Sequence, residues 1–383
     1  MKILLLGEYS NLHNSLKKGL VEIGHEVTLI SSGDGFKGLE SDILLKNKSF
    51  PKKYSILKKL FLLIFGYPLR FYRNSIQFQS ILSNLRGYDY VQLINEHAIG
   101  GVPWIERRQL SKLSKQNKNI VLLCCGDDYN SIKFYLNSER LNYSILTPLL
   151  QKLSLKREYN YSLKYLTKPF KKLSKHIEKI SLGVIASDMD YHLPLRDNPN
   201  YLGMIPNPIV LKIEKTATSK NSEITILLGI NTNSYIKKGI IYFEEALKII
   251  TAKYPEVIIK KTENLPFHNY IQELGQTEIL LDQIFSYDQG YNALQAMAMG
   301  KVVFTGAEKD FLDYYDLSED EVAINALPDV NYLVKKLSHL IDNPSEIKRI
   351  GENAKHFIRK HHEATKIAHK YIETWTNAKE LSE

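Results

Sequence analysis

Cysteine is almost missing from this sequence: the 383-residue chain has only Cys124 and Cys125, adjacent at the end of an apolar run. That pair excludes a disulfide framework, and packing in a core is its expected role, ahead of a reactive or ligand role. Long apolar runs are missing as well. None approaches the roughly 18 to 20 residues that a membrane-spanning helix needs. Met1 leads through Lys2 into an Ile-Leu-Leu-Leu strand stopped by Gly7 and Glu8, too short for a secretory h-region, so a cytoplasmic protein is expected. No His, Asp, Glu or Cys cluster has metal-ligand spacing, and neither a metal nor a cofactor is expected. The loop Gly7-Glu8-Tyr9-Ser10 lacks the G-x-G-x-x-G fingerprint, which argues against a dinucleotide. Acids are absent from Ile43 to Tyr88, where Lys46, Lys48, Lys52, Lys53, Lys58, Lys59, Arg70, Arg73 and Arg86 contribute to a net charge of +9.

What is present describes a globular protein. Aliphatic and aromatic residues make up 44% of the chain and charged residues 24%, and the length suits two domains that each bury a core. Lys2 to Leu6, Asn11 to Ile23 and Glu26 to Ile30 read as strand, helix and strand, with Ser10 or Asn11 as the helix cap. Between Phe50 and Phe78 the basic residues interleave with Tyr54, Leu57, Leu60, Phe61, Leu62, Leu63, Ile64, Phe65, Tyr67, Phe71 and Tyr72. Such a segment suits an anionic membrane surface, expected over residues 46–88, or a core helix with a solvated basic face. No nucleic-acid motif accompanies the charge, and nucleic acid is not an expected partner.

Candidate site residues stand where strands end, because open α/β sheets bind ligands at the carboxyl ends of their strands. Tyr88 to Ile94 ends in Asn95, Glu96 and His97; the histidine is a candidate acid/base or sugar ligand, or a hydrogen-bonded structural residue. Ile120 to Cys125 ends in Gly126-Asp127-Asp128, where Asp127 is a candidate to accept or orient a hydroxyl proton and a helix cap is the plainer alternative. Lys133 to Lys179 is rich in Tyr and Lys, reads as helical, and suits either an acidic acceptor carrier or a solvated face. In Ile279 to Gly306, ILLDQIFSYDQGYNALQAMAMGKVVFTG, a buried strand delivers Asp282 and Gln283, and Gly290 opens a helix through Asn292 to Met299 that Gly300 stops. Backbone N–H groups around Gly290 and Tyr291 then favour an anion.

That stretch resembles the nucleotide-sugar site of GT-B glycosyltransferases, in particular the large retaining group 1 (GT4) family. There a Glu-x7-Glu motif runs through a Gly-rich loop into a helix ending Ala-Met-Ala-x-Gly. Gly290, Ala296, Met297, Ala298 and Gly300 fit, while Tyr287 and Gln295 stand where the two acids would be. Gly229, Lys238 and Gly239 match part of the family's Gly-Arg…Lys-Gly pattern, and Ile-Pro206-Asn207-Pro208 resembles the step between its domains. The resemblance implies an α/β GT-B fold, two Rossmann-like domains facing across a cleft. Residues 1–206 would form the acceptor domain, 207–360 the nucleotide-sugar domain, and 361–383 a helix crossing back. It implies a metal-independent, retaining transfer of sugar from a nucleotide-diphospho-sugar to a glycan or lipid-linked acceptor, in cell-surface polysaccharide or glycoconjugate synthesis. On this reading Lys238, Gly239, Gly290, Tyr291, Asn292, Gln295, Tyr287 and Asp282 hold the donor, and Gly7 and Glu96 face the cleft with Asp127 and His97. A sugar-nucleotide epimerase and a binding subunit that has lost catalysis are the alternatives that the missing acids leave open.

Overall fold

The computed structural model describes residues 1–46, 55–137, 141–211 and 223–381. Ile3, Leu4, Leu5 and Leu6 are wholly buried, as a parallel strand with helices on both faces requires. They lie in β1 (Lys2–Leu6), which with β2 (Glu26–Ser31), β3 (Ile43–Leu44), β4 (Tyr90–Leu93), β5 (Ile120–Cys124), β6 (Val184–Ala186) and β7 (Tyr201–Met204) forms a sheet ordered β3-β2-β1-β4-β5-β6-β7. A second sheet follows. It joins β8 (Thr225–Ile230), β9 (Ile258–Glu263), β10 (Ile279–Leu281), β11 (Val302–Thr305) and β12 (Ile324–Asn325) in the order β12-β11-β10-β8-β9. All these pairings are parallel.

Strand order reverses between β1 and β4 in the first sheet and between β8 and β10 in the second. At such switch points the connections leave for opposite faces and open a crevice. The Gly7 loop and Asn95–His97 therefore border one crevice, and the loops holding Lys238 and Asp282 the other.

The two halves are tied at several places. Asn207–Ile209 runs beside the turn before the last helix: Ile209 N–H donates to His362 O at 2.6 Å and Ala364 N–H to Ile209 O at 3.0 Å. His362, buried and held neutral by that burial, contacts Asn207 O through Nδ1 at 2.9 Å. From there helix Ala364–Glu380 crosses back to helix Leu12–Glu22. Its Trp375, wholly buried, stacks on Tyr90 and starts a polar relay: Trp375 Nε1–H donates to Gln92 Oε1 (3.2 Å), and Gln92 Nε2–H donates to His13 Nε2 (3.1 Å). His13 Nδ1–H then donates to Gly7 O (2.7 Å). Burial keeps His13 neutral, lowered to about 3, and only this tautomer satisfies both ring nitrogens. Gly7 itself has φ +90°, and a Cβ there would lie 2.2 Å from Ile94 Cγ2, so no other residue fits the turn.

Several expectations change in detail. Asn11 sits at the first helix's N-cap in a left-handed conformation without a side-chain capping bond, so neither cap candidate caps. The Lys133–Lys179 stretch is broken into short helical pieces, Thr147–Gln151, Asn160–Leu163 and Lys168–Ile180 after Tyr129–Asn137, because Pro148 and Pro169 each restart the chain. Lys48, Lys52, Lys53 and Tyr54 lie outside the described residues. No helix among the described residues is long and apolar enough to cross a membrane.

Candidate active-site cleft

The loop after β8 turns on Asn231, whose side chain accepts from Asn233 N–H (3.1 Å), and delivers two lysines with opposite allegiances. Lys237 Nζ reaches across to the first half, bonding both oxygens of Asp127 (2.9 and 2.7 Å) and Ser162 Oγ (3.1 Å). Lys238 Nζ stays within its own half, 2.8 Å from Oδ1 of Asp282, whose side chain is fully buried at the end of β10. The chain can turn this tightly because Gly239 takes φ +65°; a Cβ there would fall 2.8 Å from Ile284. Asn292 Nδ2 adds a second bond to Asp282 Oδ1 (3.0 Å) and a third to the Tyr270 hydroxyl (2.9 Å). Asp282 Oδ2 is buried with no partner among the described residues and lies 3.7 Å from where a Cβ of Gly290 would be. An acceptor oxygen thus faces the glycine that opens helix Tyr291–Ala298, whose first turn no side chain caps.

In front of this group is a pocket of about 220 Å³. Gly229, Ile230, Asn231 and Lys238 form one wall, Thr262, Asn264, Leu265, Phe267 and Tyr270 a second, and Tyr291 with Asn292 the base. Ser10, Phe36 and Lys37 close it from the first half, with Lys37 Nζ bound to Ser10 Oγ (2.8 Å) and Asp34 Oδ2 (2.6 Å). The lining combines apolar and aromatic side chains, Phe36, Leu265, Phe267 and Tyr270, with the cation of Lys238 and the amides of Asn231 and Asn292. The Tyr291 hydroxyl, bonded to Ser15 Oγ, joins the halves beneath it.

Of the residues singled out from sequence, Lys238, Tyr291 and Asn292 line the pocket, and Asp282, Gly239 and Gly290 adjoin it. The others lie elsewhere. Tyr287 is buried in the seam between the halves, its hydroxyl accepting from Asn142 N–H (2.8 Å) and its ring tilted on Tyr143. Gln295 is half-buried, outside the pocket lining, and its side chain makes no hydrogen bond among the described residues. Gly7 serves the turn described above. His97 is a packed residue: its ring lies edge-on between Phe71 and Phe170, Nε2 contacts Gly101 O at 2.7 Å, and burial holds it well below the ordinary histidine range. Glu96 is buried and spent on Tyr129 N–H (3.0 Å) and Ser174 Oγ–H (2.6 Å), with burial and the nearby Asp128 raising it to about 8. The expected helix cap after β5 is Asp128, which accepts from Ser131 N–H (2.9 Å), leaving Asp127 free for Lys237.

Sequence reasoning passed over three features. Glu8, beside Gly7, is buried with Oε1 unpartnered among the described residues, and burial pushes it up to about 8 against the bonds from Asn14. Phe267 and Tyr270 supply pocket wall, and only their place after β9 marked them. Asp188 and Asp190, after β6, meet Asp288 from the other half: Met189 N–H donates to Asp288 Oδ2 and Tyr287 N–H to Asp190 Oδ1, both at 3.0 Å.

Two parallel Rossmann-like sheets, a pocket between them at the second sheet's switch point and a last helix returning to the first half define the GT-B architecture. Residues 237–373 match the model of the glycosyl transferase-like family. Sucrose-phosphate synthase from Thermosynechococcus elongatus superposes with a TM-score of 0.61 at 15% identity, covering 98% of either chain. HepE of Anabaena, solved with UDP and glucose, gives 0.60 at 12%, over 98% of this chain and 99% of that one. A protein described as a UDP-N-acetylglucosamine 2-epimerase from Listeria monocytogenes gives 0.54 at 10%, over 97% and 94%. Among curated proteins no sequence matches the chain. The family match thus falls within the C-terminal half, and the chain as a whole has a GT-B fold.

Proposed function

We propose that this protein is a glycosyltransferase that moves a sugar from a nucleotide-diphospho-sugar to a glycan or lipid-linked acceptor. The observation that carries the reading is the group around Asp282. Lys238 supplies a cation beside an uncapped helix start, suited to a diphosphate, and the unpartnered Asp282 Oδ2 suits a donor hydroxyl. The aromatic residues of the lining suit a nucleobase, and the UDP in the HepE structure makes uridine the first to test. In the transfer, the bond from sugar C1 to the β-phosphate oxygen breaks and one from C1 to the acceptor oxygen forms. The acceptor's proton leaves to Asp127 or to the departing diphosphate. Lys238 and the helix start would neutralise the leaving group without a metal, and retention of configuration goes with the group 1 resemblance.

The alternative of a binding subunit draws on Tyr287 and Gln295, neither a carboxylate and neither in the pocket lining. A thermal-shift panel of UDP-, GDP-, ADP- and CMP-sugars separates the readings, since a ligand of the native state raises the melting temperature. A transferase shows a shift for one nucleotide, lost in Lys238→Ala, and turnover in excess EDTA; no shift from any of the four refutes the donor site.

We further place the first half on an anionic membrane, which goes with cell-surface glycan synthesis. In helix Ser55–Phe65, Leu63 is 82% exposed, Ile64 65% and Phe65 50%, in a stretch without acids. Sedimentation with phosphatidylglycerol vesicles, abolished by Leu63→Asp with Ile64→Asp, is the expected result; equal sedimentation of the variant refutes it.

A further inference from the structure

The first half holds a second cationic group, separate from the donor pocket. Lys164 Nζ is enclosed by four rings, 4.0 Å from the centroid of Tyr161, 4.8 Å from Tyr165, 5.2 Å from Phe170 and 5.5 Å from Phe71. The guanidinium of Arg70 lies over the same Phe71 ring at 5.4 Å. Aromatic faces attract a cation, but a second cation beside it undoes part of that gain.

The charges here do not balance. Neither Lys164 nor Arg70 has a carboxylate partner among the described residues. Of the acids that act on Lys164, Asp127 gives both oxygens to Lys237, and Glu106 holds the N–H groups of Ile99 (2.9 Å) and Gly101 (2.8 Å). Three cations, Lys164, Arg70 and Lys237, thus face two carboxylates, Asp127 and Glu106, both already committed to other donors. Burial, then Arg70, lowers the Lys164 ammonium to about 7, a group that gains from an incoming anion. The place also adjoins the contact between the halves: Ser162, two residues before Lys164, is buried and bonded to Lys237, which reaches across from the other half. Arg70 begins helix Leu69–Ile81, directly after the exposed apolar helix Ser55–Phe65.

We propose that the acceptor carries a phosphate or diphosphate ester, and that this group is bound between Lys164 and Arg70 against the rings of Tyr161 and Phe71. The proposal rests on the transferase reading, for it names the acceptor of that reaction. The negative charge of such an ester answers the local surplus of cations over carboxylates. Lys237 and Asp127, next to it, would then meet the acceptor at its reacting end.

The test is calorimetric titration of the full chain with inorganic pyrophosphate and with farnesyl diphosphate, free of divalent metal. The chains compared are wild type, Lys164→Met, Arg70→Gln and Lys238→Ala. Lys164→Met and Arg70→Gln should each weaken pyrophosphate by about tenfold, the loss of one charged hydrogen bond, and Lys238→Ala should leave this site unchanged. Wild type should take up a proton on binding at about pH 8, read from buffers of different ionisation enthalpy, and Lys164→Met should take up less. A merely structural Lys164 would not change that proton count. Farnesyl diphosphate binding tighter than pyrophosphate assigns the ester to a lipid carrier, and equal affinity assigns it to a soluble phosphorylated acceptor. The proposal is overturned if pyrophosphate fails to bind at millimolar concentration, or binds with a dependence on Lys238 and none on Lys164 or Arg70. UDP-sugar binding, measured on the same chains, reports on the donor site separately. Arg70 is exposed, so Arg70→Gln keeps the test open even if Lys164→Met does not fold.

Discussion

Lys238→Met separates the two things that Lys238 does. In the free protein its ammonium is the only cation on Asp282 among the described residues, a carboxylate with a fully buried side chain and one neutral donor besides, Asn292. Removing one partner of a buried pair costs roughly 3–5 kcal/mol and losing one hydrogen bond to a charged group roughly 1.5–3. Lys238 is 27% exposed, so water screens part of the pair and the lower range applies, about 2–3 kcal/mol. At roughly 2–4 °C per kcal/mol for a domain of this size, the second half should melt about 4–12 °C earlier. Adding Asp282→Asn removes the stranded charge and should recover most of that loss. It should not recover the melting shift given by the nucleotide that binds wild type, because the cation for the diphosphate is still missing. Differential scanning calorimetry of wild type, single and double variants, with and without nucleotide, reads both effects. A single variant that melts with wild type and keeps its nucleotide shift would refute the pairing and the donor role together; a double variant that regains the shift would refute the donor role alone.

Asp127→Asn should lower turnover at least tenfold with little change in UDP-sugar affinity, measured by initial rates against donor concentration; unchanged turnover would remove Asp127 from the reaction. Asp288, ordinarily at 3.8, is raised to about 7 by burial, so the folded state binds its proton more tightly than the unfolded state does. Its contribution is therefore lost as pH rises from about 4 to 7, and Asp288→Asn should flatten that part of a urea-denaturation profile against pH. Trp375→Ala should destabilise the protein by about 3–5 kcal/mol through the cavity left beside Tyr90, and Trp375→Phe by about 1–2 through the bond to Gln92. Equilibrium denaturation distinguishes the two.

Apolar runs such as Ile3 to Leu6 and Ile279 to Leu281 read directly as parallel strands, and strand ends marked the cleft, because parallel sheets bury both faces and expose their carboxyl ends. Asp282 was legible for that reason, and Lys238 and Asn292 through the family resemblance. His97 and Glu96 share the same address, yet local sequence does not show what packs against a strand end; Phe71, Phe170 and Ser174 decide it, from 26 residues upstream to 78 downstream. The pairing of Asp127 with Lys237 spans 110 residues and was equally hidden. Tyr287 and Gln295 were placed by a motif register, and the register holds for the backbone while the side chains face the seam or the helix flank. Phe267 and Tyr270 carried no motif, since any flat apolar residue could serve at that wall.

The relay from Trp375 through Gln92 and His13 to Gly7 also bears on how the protein is made. Gln92 and Trp375 are 283 residues apart. At roughly 5–20 residues per second, the ribosome delivers Trp375 about a quarter of a minute to one minute after Gln92. Throughout that interval helix Leu12–Glu22 lacks the cover of the last helix, and His13 holds Gly7 from a ring whose support is incomplete. A nonsense codon in the final helix would leave the first sheet in that unfinished state permanently. The cleft loop translated first is among the last parts of the protein to be finished.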